Sequence, residues 1–470
     1  MAKLQRVLIA NRGEIAVRVI RACFDEGIES VLAVSDADRA SLGAQLADQA
    51  VVIGPAAAAE SYLVLDRVVA AAKVTGCDGL HPGYGFLSER PELSAACAEA
   101  GIAFVGPSEE AMRRSGDKAT ARALARELGV PINEGSDVVS DEAQAREVAE
   151  RIGYPVLLKA AGGGGGRGMR RVEAAEELAG AWAQASGEAE AAFGDGRIFV
   201  ERYVRHARHV EVQVLGDGEG GAIHVGHRDC TLQRRYQKLI EEAPAYGLSE
   251  ALETEITEAA RRMIGALDYA GAATCEFLVD PERESAGFLE INARLQVEHP
   301  VSEMVTGVDI VREQLRIAGG EGPSVGQDDV EISGHAIEVR INAESPARDF
   351  APSPGTLVQW AAPVGTDVRV DTACFPGWTV PPHYDSLLAK LIVGGGDRSE
   401  ALERTRRALR HLRVEGVETT AGFALDLLEA PDVVAGRVHT RWVEEEFMQN
   451  WLAAAAAGSS GGAASAAEES

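Results

Sequence analysis

A long apolar run is missing from the N-terminal region. The only one there is Val7-Leu8-Ile9-Ala10, which is too short for the core of a signal peptide or for a membrane span. We therefore expect a cytoplasmic protein that does not associate with membranes.

Cysteine motifs are missing as well. The six cysteines are scattered and no two form a C-x-x-C pair, so neither a disulfide framework nor a zinc site is indicated. Buried free thiols in a reducing compartment are the expected state. The residues concerned are Cys23, Cys77, Cys97, Cys230, Cys275 and Cys374.

Basic residues are in the minority, 46 against 73 acidic ones, which gives a formal net charge of -27. Such a charge repels nucleic acid and anionic membrane surfaces, so neither is an expected partner. An anionic substrate would need a local basic pocket. The length of 470 residues predicts about three domains, and the apolar fraction of 46% is that of a globular protein with a core.

The N-terminal segment predicts a β-α-β unit. Val7–Ala10 has the composition of a buried strand, apolar residues then recur at helical spacing up to Gly27, and Val31–Val34 is a second strand. This order opens a parallel α/β sheet. The connecting turn Asn11–Glu14 lacks the G-x-G-x-x-G pattern, so a dinucleotide site is not indicated.

A glycine-rich run, 162–168, follows a short strand that ends at Lys159. The run has no serine or threonine spacer and lies between two strand-like segments, which favours a binding loop over a flexible linker. Glycines let backbone N–H groups approach phosphate oxygens, and Lys159 adds a positive charge beside them. We expect a phosphate-binding loop that also serves as a mobile lid. It is not a Walker A loop, because no Gly-Lys-Ser/Thr follows.

The segment from Glu290 to Glu298 alternates polar and apolar residues at every step, which predicts a strand. An ordinary half-buried strand with a solvated face fits this pattern equally well. The polar face, however, combines two carboxylates, two amides and a guanidinium, which suits a metal ion together with an anion. Its members are Glu290, Asn292, Arg294, Gln296 and Glu298.

A hairpin is predicted where Cys275–Asp280 and the strand starting at Phe288 flank a seven-residue loop. Pairing of the two strands would bring Glu276 near Glu290 and Asn292. These are oxygen ligands that suit Mg²⁺ better than Zn²⁺, with phosphate oxygens and water completing the octahedron. The economical interpretation is a magnesium-nucleotide site.

Further strands are predicted at Ile198–Val204, at His209–Val214 and at Ala336–Asn342, the last opening a new module. His209 alone is more often structural than functional. The segment Gln233–Lys238 is a local basic patch, either a surface loop or an anion site. Asp309 predicts the N-cap of a helix that Gly319 and Gly320 end. Residues 451–470, mostly Ala, Gly and Ser, predict a disordered tail or linker.

Taken together, these motifs resemble biotin carboxylase, the ATP-grasp component of the biotin-dependent acyl-CoA and pyruvate carboxylases. The resemblance covers nearly everything from Val7 to about Phe447. It rests on Ala10–Ala16, His81–Glu89, Lys159–Met169, Arg208–Glu211, Gln233–Pro244 and Glu290–Pro300.

The resemblance implies an α/β fold, α+β in its ATP-grasp part, and a division of the chain. An N-terminal α/β domain would occupy 1–115 and an ATP-grasp domain 116–330, with a glycine-rich lid at about 133–204. A C-terminal biotin carboxylase domain would occupy 331–450, followed by the tail 451–470.

The chemistry that the resemblance implies is the first half-reaction of a biotin-dependent acyl-CoA carboxylase. ATP phosphorylates bicarbonate to carboxyphosphate, which breaks down to CO₂ and phosphate. The phosphate takes the N1′ proton of biotin, and the resulting enolate attacks CO₂. The cofactors would be ATP, Mg²⁺ or Mn²⁺, and biotin carried by another protein or domain.

The resemblance also assigns residues. Lys118, Lys159, Gly165, Gly166, Glu201, Arg202, Tyr203, Val204, His209, Gln233 and Tyr236 would bind the nucleotide, with Glu276 and Glu290 reaching it through the metal. Glu276, Glu290 and Asn292 would hold the metal, and Lys238, Arg294, Gln296 and the Val297 backbone would hold bicarbonate. Glu298 would be the base that deprotonates bicarbonate, and Arg340 would stabilise the biotin enolate.

The chain departs from the family pattern in three places. Tyr236 stands where His is usual, Ala273 replaces a usual Gly, and the biotinylation motif Met-Lys-Met is absent. Biotin would therefore come on a separate carrier protein, or on a domain to which the Ala/Gly/Ser tail once led. A carboxyltransferase partner and a homodimer are further expectations from the family.

Two other functions remain open from the residues alone. Another ATP-grasp ligase, joining a carboxylate to an amine or thiol, would share Lys159, Glu276, Glu290 and Asn292. A nucleotide-binding subunit without turnover is the second alternative, and Tyr236 is the feature that favours it.

Overall fold

A computed structural model describes residues 3–160 and 169–453 of the chain. The glycine-rich run with Gly165 and Gly166, and most of the predicted tail, lie outside these residues. Within the described ranges no helix has both the length and the apolar character needed to cross a bilayer.

The N-terminal part is a five-stranded parallel sheet with helices on both faces, as the β-α-β prediction requires. Its elements are β1 Arg6–Ile9, α1 Gly13–Glu26, β2 Glu29–Ser35, α2 Leu42–Leu46, β3 Gln49–Gly54, α3 Leu65–Val74, β4 Gly79–His81, α4 Pro91–Glu99, β5 Ala103–Phe104 and α5 Glu109–Gly116. The strand order is β3-β2-β1-β4-β5. Gly27 ends α1 with a φ of 67°, a conformation that costs glycine little.

A small three-stranded antiparallel sheet with its helices follows. Its elements are α6 Lys118–Glu127, α7 Glu142–Ile152, β6 Val156–Ala160, β7 Met169–Val172, α8 Leu178–Phe193 and β8 Ile198–Arg202. Strand β6 lies between β7 and β8. The side chain of Asp117 caps α6 by accepting from the Thr120 N–H at 2.7 Å, which fixes where this helix begins.

The centre of the molecule is an eight-stranded antiparallel sheet. The elements of this part of the chain are β9 Arg208–Asp217, β10 Ala222–Arg234, β11 Gln237–Ala243, α9 Glu250–Gly265, β12 Ala270–Asp280, β13 Ser285–Asn292, α10 His299–Thr306, α11 Ile310–Ala318, β14 His335–Asn342, β15 Glu344–Ser345, β16 Ala351–Pro352, β17 Gln359–Ala361, β18 Val368–Thr372 and β19 Leu387–Gly395. Strands β15 and β16 pair in a separate two-stranded sheet, and β17 also lies outside the eight-stranded one. The strand order of the eight-stranded sheet is β13-β12-β9-β10-β11-β14-β19-β18. The sheet is therefore continuous across the boundary predicted at residue 330, because β11 pairs with β14.

The remaining elements pack on the β14–β19 part of the sheet. They are α12 Arg398–His411, β20 Arg413–Glu415, α13 Ala421–Glu429 and α14 Pro431–Val434. Residues 442–453 are also helical and contain a π-helical turn at Val443–Phe447. The prediction that the tail begins at Trp451 is wrong at its first residues, because the Trp451 ring packs on Phe423 at 4.9 Å and its N–H donates to Asp426.

The strand predicted from Glu290 to Glu298 is also wrong in its second half. Strand β13 ends at Asn292, and residues 293–298 form a turn that leads into α10. Ala293 and Leu295 are nevertheless buried, as the alternation predicted, because the turn lies against the core. The prediction of a helix capped by Asp309 is confirmed in α11, where the carboxylate accepts from the Arg312 N–H at 2.8 Å.

The cysteine prediction is confirmed for the described chain. All six thiols are free and buried. Burial raises the pKa of the Cys23 thiol to about 12, with the nearby Asp48 carboxylate acting in the same direction.

Candidate active site

A cavity of about 1120 Å³ lies between the N-terminal sheet, the three-stranded sheet and the eight-stranded sheet. Almost every residue predicted for the site lines it. They are Lys118, Lys159, Glu201, Arg202, Tyr203, Val204, His209, Gln233, Tyr236, Lys238, Glu276, Glu290, Asn292, Arg294, Gln296, Val297 and Arg340. Residues that are scattered over more than 200 positions in the sequence thus meet around one space.

Two carboxylates face each other at one end of the cavity. Glu276 on β12 and Glu290 on β13 are direct cross-strand partners, as the hairpin prediction required. Asn292 donates from Nδ2 to Glu276 Oε1 at 2.9 Å. Lys118 Nζ lies 3.1 Å from Glu290 Oε2, and His209 Nε2 lies 3.1 Å from Glu276 Oε2. The carboxylates are therefore already matched by cationic groups.

This end fits a hard divalent cation. Burial alone would raise the pKa of Glu276, but Lys238 and His209 hold it well below its usual range, so the carboxylate is charged. The oxygen atoms of Glu276, Glu290 and Asn292 are the donor types that Mg²⁺ prefers. The side-chain types and their placement together thus fit a magnesium site.

Glu298 lies below the cavity surface with no exposed area. Its Oε1 accepts from Lys238 Nζ at 2.5 Å and its Oε2 from Arg340 Nη2 at 2.9 Å. Burial would raise the pKa of Glu298, but Lys238, Arg340 and the nearby Arg228 hold it well below its usual range. A carboxylate has about four acceptor sites, so this one keeps capacity for a further partner.

Arg294 does not contact Glu298, although the two lie close in sequence. Its guanidinium donates to Gln296 Oε1 at 2.9 Å and to Asn292 Oδ1 at 3.3 Å. On its other side Arg294 Nε lies 3.1 Å from Glu89 Oε2. The turn after β13 therefore separates the guanidinium from the carboxylate, so Arg294 stays available for an anion in the cavity.

A layer of buried charge behind the cavity was not predicted from the sequence. Arg228 is fully buried and donates from Nε to Glu211 Oε1 at 2.6 Å and from Nη1 to Gln213 at 2.7 Å. Glu211 in turn accepts from Lys238 Nζ at 2.6 Å. Glu211 and Gln213 alternate with apolar residues along β9, so their pattern is that of any sheet strand and gives no separate signal.

A second unpredicted pair of acids lies next to Arg340. Arg340 donates from Nε to Glu241 Oε1 at 2.6 Å, and Glu241 is the cross-strand partner of Glu338. Both acids are fully buried. Burial raises the pKa of Glu241 to about 7, with Arg340 opposing that shift. The alternation along β14 could have indicated Glu338 as a member of the same face as Arg340.

The opposite end of the cavity is formed by β6, β8 and the β10–β11 turn. Lys159 Nζ donates to Glu201 Oε2 at 3.0 Å, and Arg122 pairs with the other oxygen of the same carboxylate. Arg171 stacks over the Tyr203 ring at 5.2 Å. Tyr236 is at the tip of the turn with a φ of 64° and with 53% of its surface exposed.

Three protein-family profiles match successive parts of the chain. They are "Biotin carboxylase, N-terminal domain" over residues 3–112, "Carbamoyl-phosphate synthase L chain, ATP binding domain" over 117–323 and "Biotin carboxylase C-terminal domain" over 338–445. Together these matches cover most of the chain.

Curated relatives match over nearly their whole length. Biotin carboxylase of Pseudomonas aeruginosa is 49% identical over 445 residues, which is 94% of this chain and 98% of the relative. Biotin carboxylase 1 of Bacillus subtilis is 46% identical over 442 residues, with the same coverage of both chains.

Solved structures agree with these sequence matches. The biotin carboxylase-β,γ-ATP complex from Campylobacter jejuni has a TM-score of 0.90 and 43% identity, covering 94% of this chain and 98% of its own. The biotin carboxylase domain dimer of Hydrogenobacter thermophilus 2-oxoglutarate carboxylase, in complex with MgADP, ADP and bicarbonate, has a TM-score of 0.88 and 42% identity, covering 95% and 98%.

Proposed function

The chain belongs to the biotin carboxylase family, and from that membership and the geometry of its cavity we propose how the described residues divide the reaction among them. The protein is an ATP-dependent ligase that carboxylates biotin, with Mg²⁺ as the metal and bicarbonate as the carbon source. ATP phosphorylates bicarbonate to carboxyphosphate with release of ADP. Carboxyphosphate breaks down to CO₂ and phosphate, the phosphate accepts the N1′ proton of biotin, and the biotin enolate attacks CO₂.

The nucleotide would lie along the side of the cavity formed by β6, β8 and the β10–β11 turn, where Lys159, Gln233 and Tyr236 lie. Lys118 and His209 would reach its phosphates from the end that holds Glu276 and Glu290. Glu201, Arg202, Tyr203 and Val204 would line the adenine end. Gly165 and Gly166, outside the described residues, remain assigned to the phosphates by their motif.

Glu276, Glu290 and Asn292 would hold the metal ion. Bound there, Mg²⁺ neutralises charge on the phosphate oxygens. Lys118 and His209 form ion pairs with Glu290 and Glu276 in the described structure. With a metal ion bound to these carboxylates, the two side chains would turn towards the phosphates. The chain's own contribution includes the Glu276 carboxylate, whose pKa Lys238 and His209 hold well below its usual range, so that it is charged at neutral pH.

Bicarbonate would lie against Arg294, Gln296, Lys238 and the Val297 N–H. The observation that carries this assignment is the full burial of Glu298 between Lys238 and Arg340. A carboxylate in that position receives the bicarbonate proton, and Lys238 beside it stabilises the anion as it attacks the γ-phosphate. An ATP-grasp ligase for amines or thiols has no need of this cluster.

Arg340 would serve the second step of the reaction. Its guanidinium lines the cavity and is held by Glu241 and Glu298. A guanidinium fixed in this way can stabilise the negative charge that develops on the ureido oxygen of biotin when N1′ loses its proton. Burial would lower the pKa of Arg340, but the surrounding carboxylates raise it, so its charge is constant.

Domains, partners and location complete the proposal. The division 1–115, 116–330 and 331–450, with the lid at 133–204, is retained from the sequence. Biotin would arrive on a carrier protein or domain, and a carboxyltransferase would take the product to its acceptor. The family includes a biotin carboxylase domain dimer, which supports a homodimer here. Six free thiols support a cytoplasmic location.

The names of the relatives do not point to one final acceptor of the carboxyl group. Their names include a pyruvate carboxylase component of Methanothermobacter thermautotrophicus and the 2-oxoglutarate carboxylase of Hydrogenobacter thermophilus. An acyl-CoA acceptor remains our proposal from the family resemblance alone.

ATP hydrolysis measured with and without bicarbonate, and with and without free biotin, tests the function. The proposal expects hydrolysis that depends on bicarbonate and that biotin stimulates. A folded, magnesium-replete protein that binds ATP but hydrolyses none under any of these conditions would be a nucleotide-binding subunit without turnover. Hydrolysis that instead depends on an amine or thiol would identify another ligase.

A further inference from the structure

Lys390 lies in the middle of β19 and has no exposed surface. Its Nζ donates to the carbonyl oxygen of Val297 at 2.9 Å. The same ammonium lies 3.3 Å from Glu14 Oε2 and 3.9 Å from Asp371 Oδ2. Burial of a lysine costs free energy unless its charge is paired, so we expect the contacts of this side chain to indicate its function.

The Val297 carbonyl belongs to a turn without strand pairing. Residues 293–298 lie beyond the end of β13, so their peptide groups have no ladder partners. Neighbouring carbonyls are satisfied locally, since Gln296 accepts from His299 Nδ1 at 2.7 Å and Glu298 accepts from the Val301 N–H at 3.3 Å. The Val297 carbonyl accepts instead from a side chain 93 residues later.

The surrounding carboxylates balance the charge of the lysine, but they lie farther from its ammonium than the Val297 carbonyl oxygen does. Asp371 is paired with Arg369 at 2.7 Å, and Glu14 accepts from the Tyr84 hydroxyl. Glu338, on the neighbouring strand, is fully buried, and in the described chain neither of its carboxylate oxygens has a hydrogen-bond partner. The ammonium is thus aimed at the turn, where it meets a backbone carbonyl.

We propose that Lys390 is a positioning residue for the bicarbonate site. By holding the peptide between Val297 and Glu298, it sets the direction in which the Val297 N–H and the Glu298 carboxylate face the cavity. The proposal rests on the proposed function, because it takes this turn to be the bicarbonate site. Lys390 lies outside the cavity lining, so it acts on the cavity through the lining residues that it contacts, which are those of the turn and Glu14.

The proposal predicts a change in the KM for bicarbonate but none in the KM for ATP. The nucleotide wall is formed by β6, β8 and the β10–β11 turn, none of which Lys390 contacts through a hydrogen bond or an ion pair in the described part of the chain. Loss of the ammonium should therefore raise the KM for bicarbonate and leave the KM for ATP unchanged. A hydrogen bond from a charged group is worth about a tenfold change in an equilibrium constant, which sets the expected size.

Lys390→Met, which keeps the length of the side chain without its charge, is the first variant. We expect the KM for bicarbonate to rise about tenfold and the KM for ATP to change less than about twofold. Lys390→Gln retains an N–H donor on a shorter chain and should give a smaller rise. If Lys390→Met does not fold, Lys390→Gln is judged by the same ratio of KM values.

Arg398→Met is the matched control. Arg398, the first residue of α12, is held by Glu242 of β11 at 2.6 Å but does not contact the turn. Its replacement should therefore lower stability without changing either KM. Equal rises in both KM values for the Lys390 variants, or no rise for bicarbonate, would overturn the positioning role. Wild-type protein without bicarbonate-dependent hydrolysis would instead refute the proposed function, so the two failures are distinguishable.

Discussion

Arg340 Nη2 lies 2.9 Å from Glu298 Oε2 and so joins strand β14 to the turn that follows β13. The two residues are 42 positions apart, and the proposed chemistry assigns them to successive steps. Because the two side chains are in contact, a change of charge at one of them alters the electrostatic environment of the other. Replacing each residue separately tests the step to which it is assigned.

Glu298→Gln should lower bicarbonate-dependent ATP hydrolysis by at least about 10²-fold, because the amide cannot accept the bicarbonate proton. Binding of Mg²⁺–ATP should remain close to normal, since Glu298 lies away from the nucleotide wall. Steady-state hydrolysis and equilibrium nucleotide binding measure the two quantities. Loss of nucleotide binding in this variant would contradict the assignment of Glu298 as the base.

Arg340→Met should separate the two halves of the reaction. We expect carboxylation of free biotin to fall by about 10²-fold, because the enolate loses its fixed positive charge. Bicarbonate-dependent hydrolysis without biotin should persist. Arg348→Met is the control, since Arg348 forms an exposed pair with Glu418 and should affect neither rate. Equal loss of both activities in Arg340→Met would place the residue in the first step instead.

Glu290→Gln should weaken the binding of Mg²⁺. The amide removes one anionic oxygen from the metal site, so the Mg²⁺ concentration for half-maximal activity should rise about tenfold or more. The KM for bicarbonate should stay unchanged at saturating metal. Glu284→Gln, on the loop of the same hairpin, is an exposed control. A Mg²⁺ requirement identical to that of the wild type would remove Glu290 from the metal ligands.

Glu242 gives a pH-dependent prediction of stability. Although burial acts against it, His335 and Arg398 hold the pKa of Glu242 at about 2, below its ordinary value of 4.5. A depressed carboxyl pKa stabilises the folded state above the unfolded pKa, and this stabilisation is lost as pH falls from about 5 to about 2. Its size above pH 5 is about 3 kcal/mol.

Glu242→Gln should therefore lower the free energy of unfolding most at pH 7, and the difference from wild type should shrink as the pH approaches 2. Urea denaturation at pH 7, 4 and 3 measures this trend. Glu99→Gln, at an exposed position, should differ from wild type by less than about 0.5 kcal/mol at each pH. A difference that is constant with pH would mean that the carboxylate charge of Glu242 contributes nothing.

Much of the candidate site could be predicted because its chemistry is concentrated in one segment. The spacing of two between Glu290 and Asn292, together with the hairpin to Glu276, was sufficient to predict that these three side chains meet. The strand could not be followed to Glu298, because the alternation continues after β13 has ended and a turn can bury the same apolar residues. Only the tertiary contacts of the turn distinguish the two.

The buried charged residues behind the site could not be predicted from the sequence. Glu211 and Glu338 each occupy an ordinary alternating position on a strand, where a charged residue usually faces solvent. Lys390 is the one charged residue in the otherwise apolar strand β19. Their burial depends on which other strands cover that face, and this is decided by pairings between distant segments. Lys390, for example, pairs with Arg340 across β14 and β19.

The pairing of β11 with β14 has a consequence for biosynthesis. Ile240 lies opposite Val339, so about a hundred residues must be made between one strand and its neighbour. While the chain emerges from the ribosome, β11 presents an open edge that could recruit another strand. Glu241 and Glu242 both lie on β11. Their carboxylates would repel the same strand of a second nascent chain, and this repulsion would protect the edge until β14 has been synthesised.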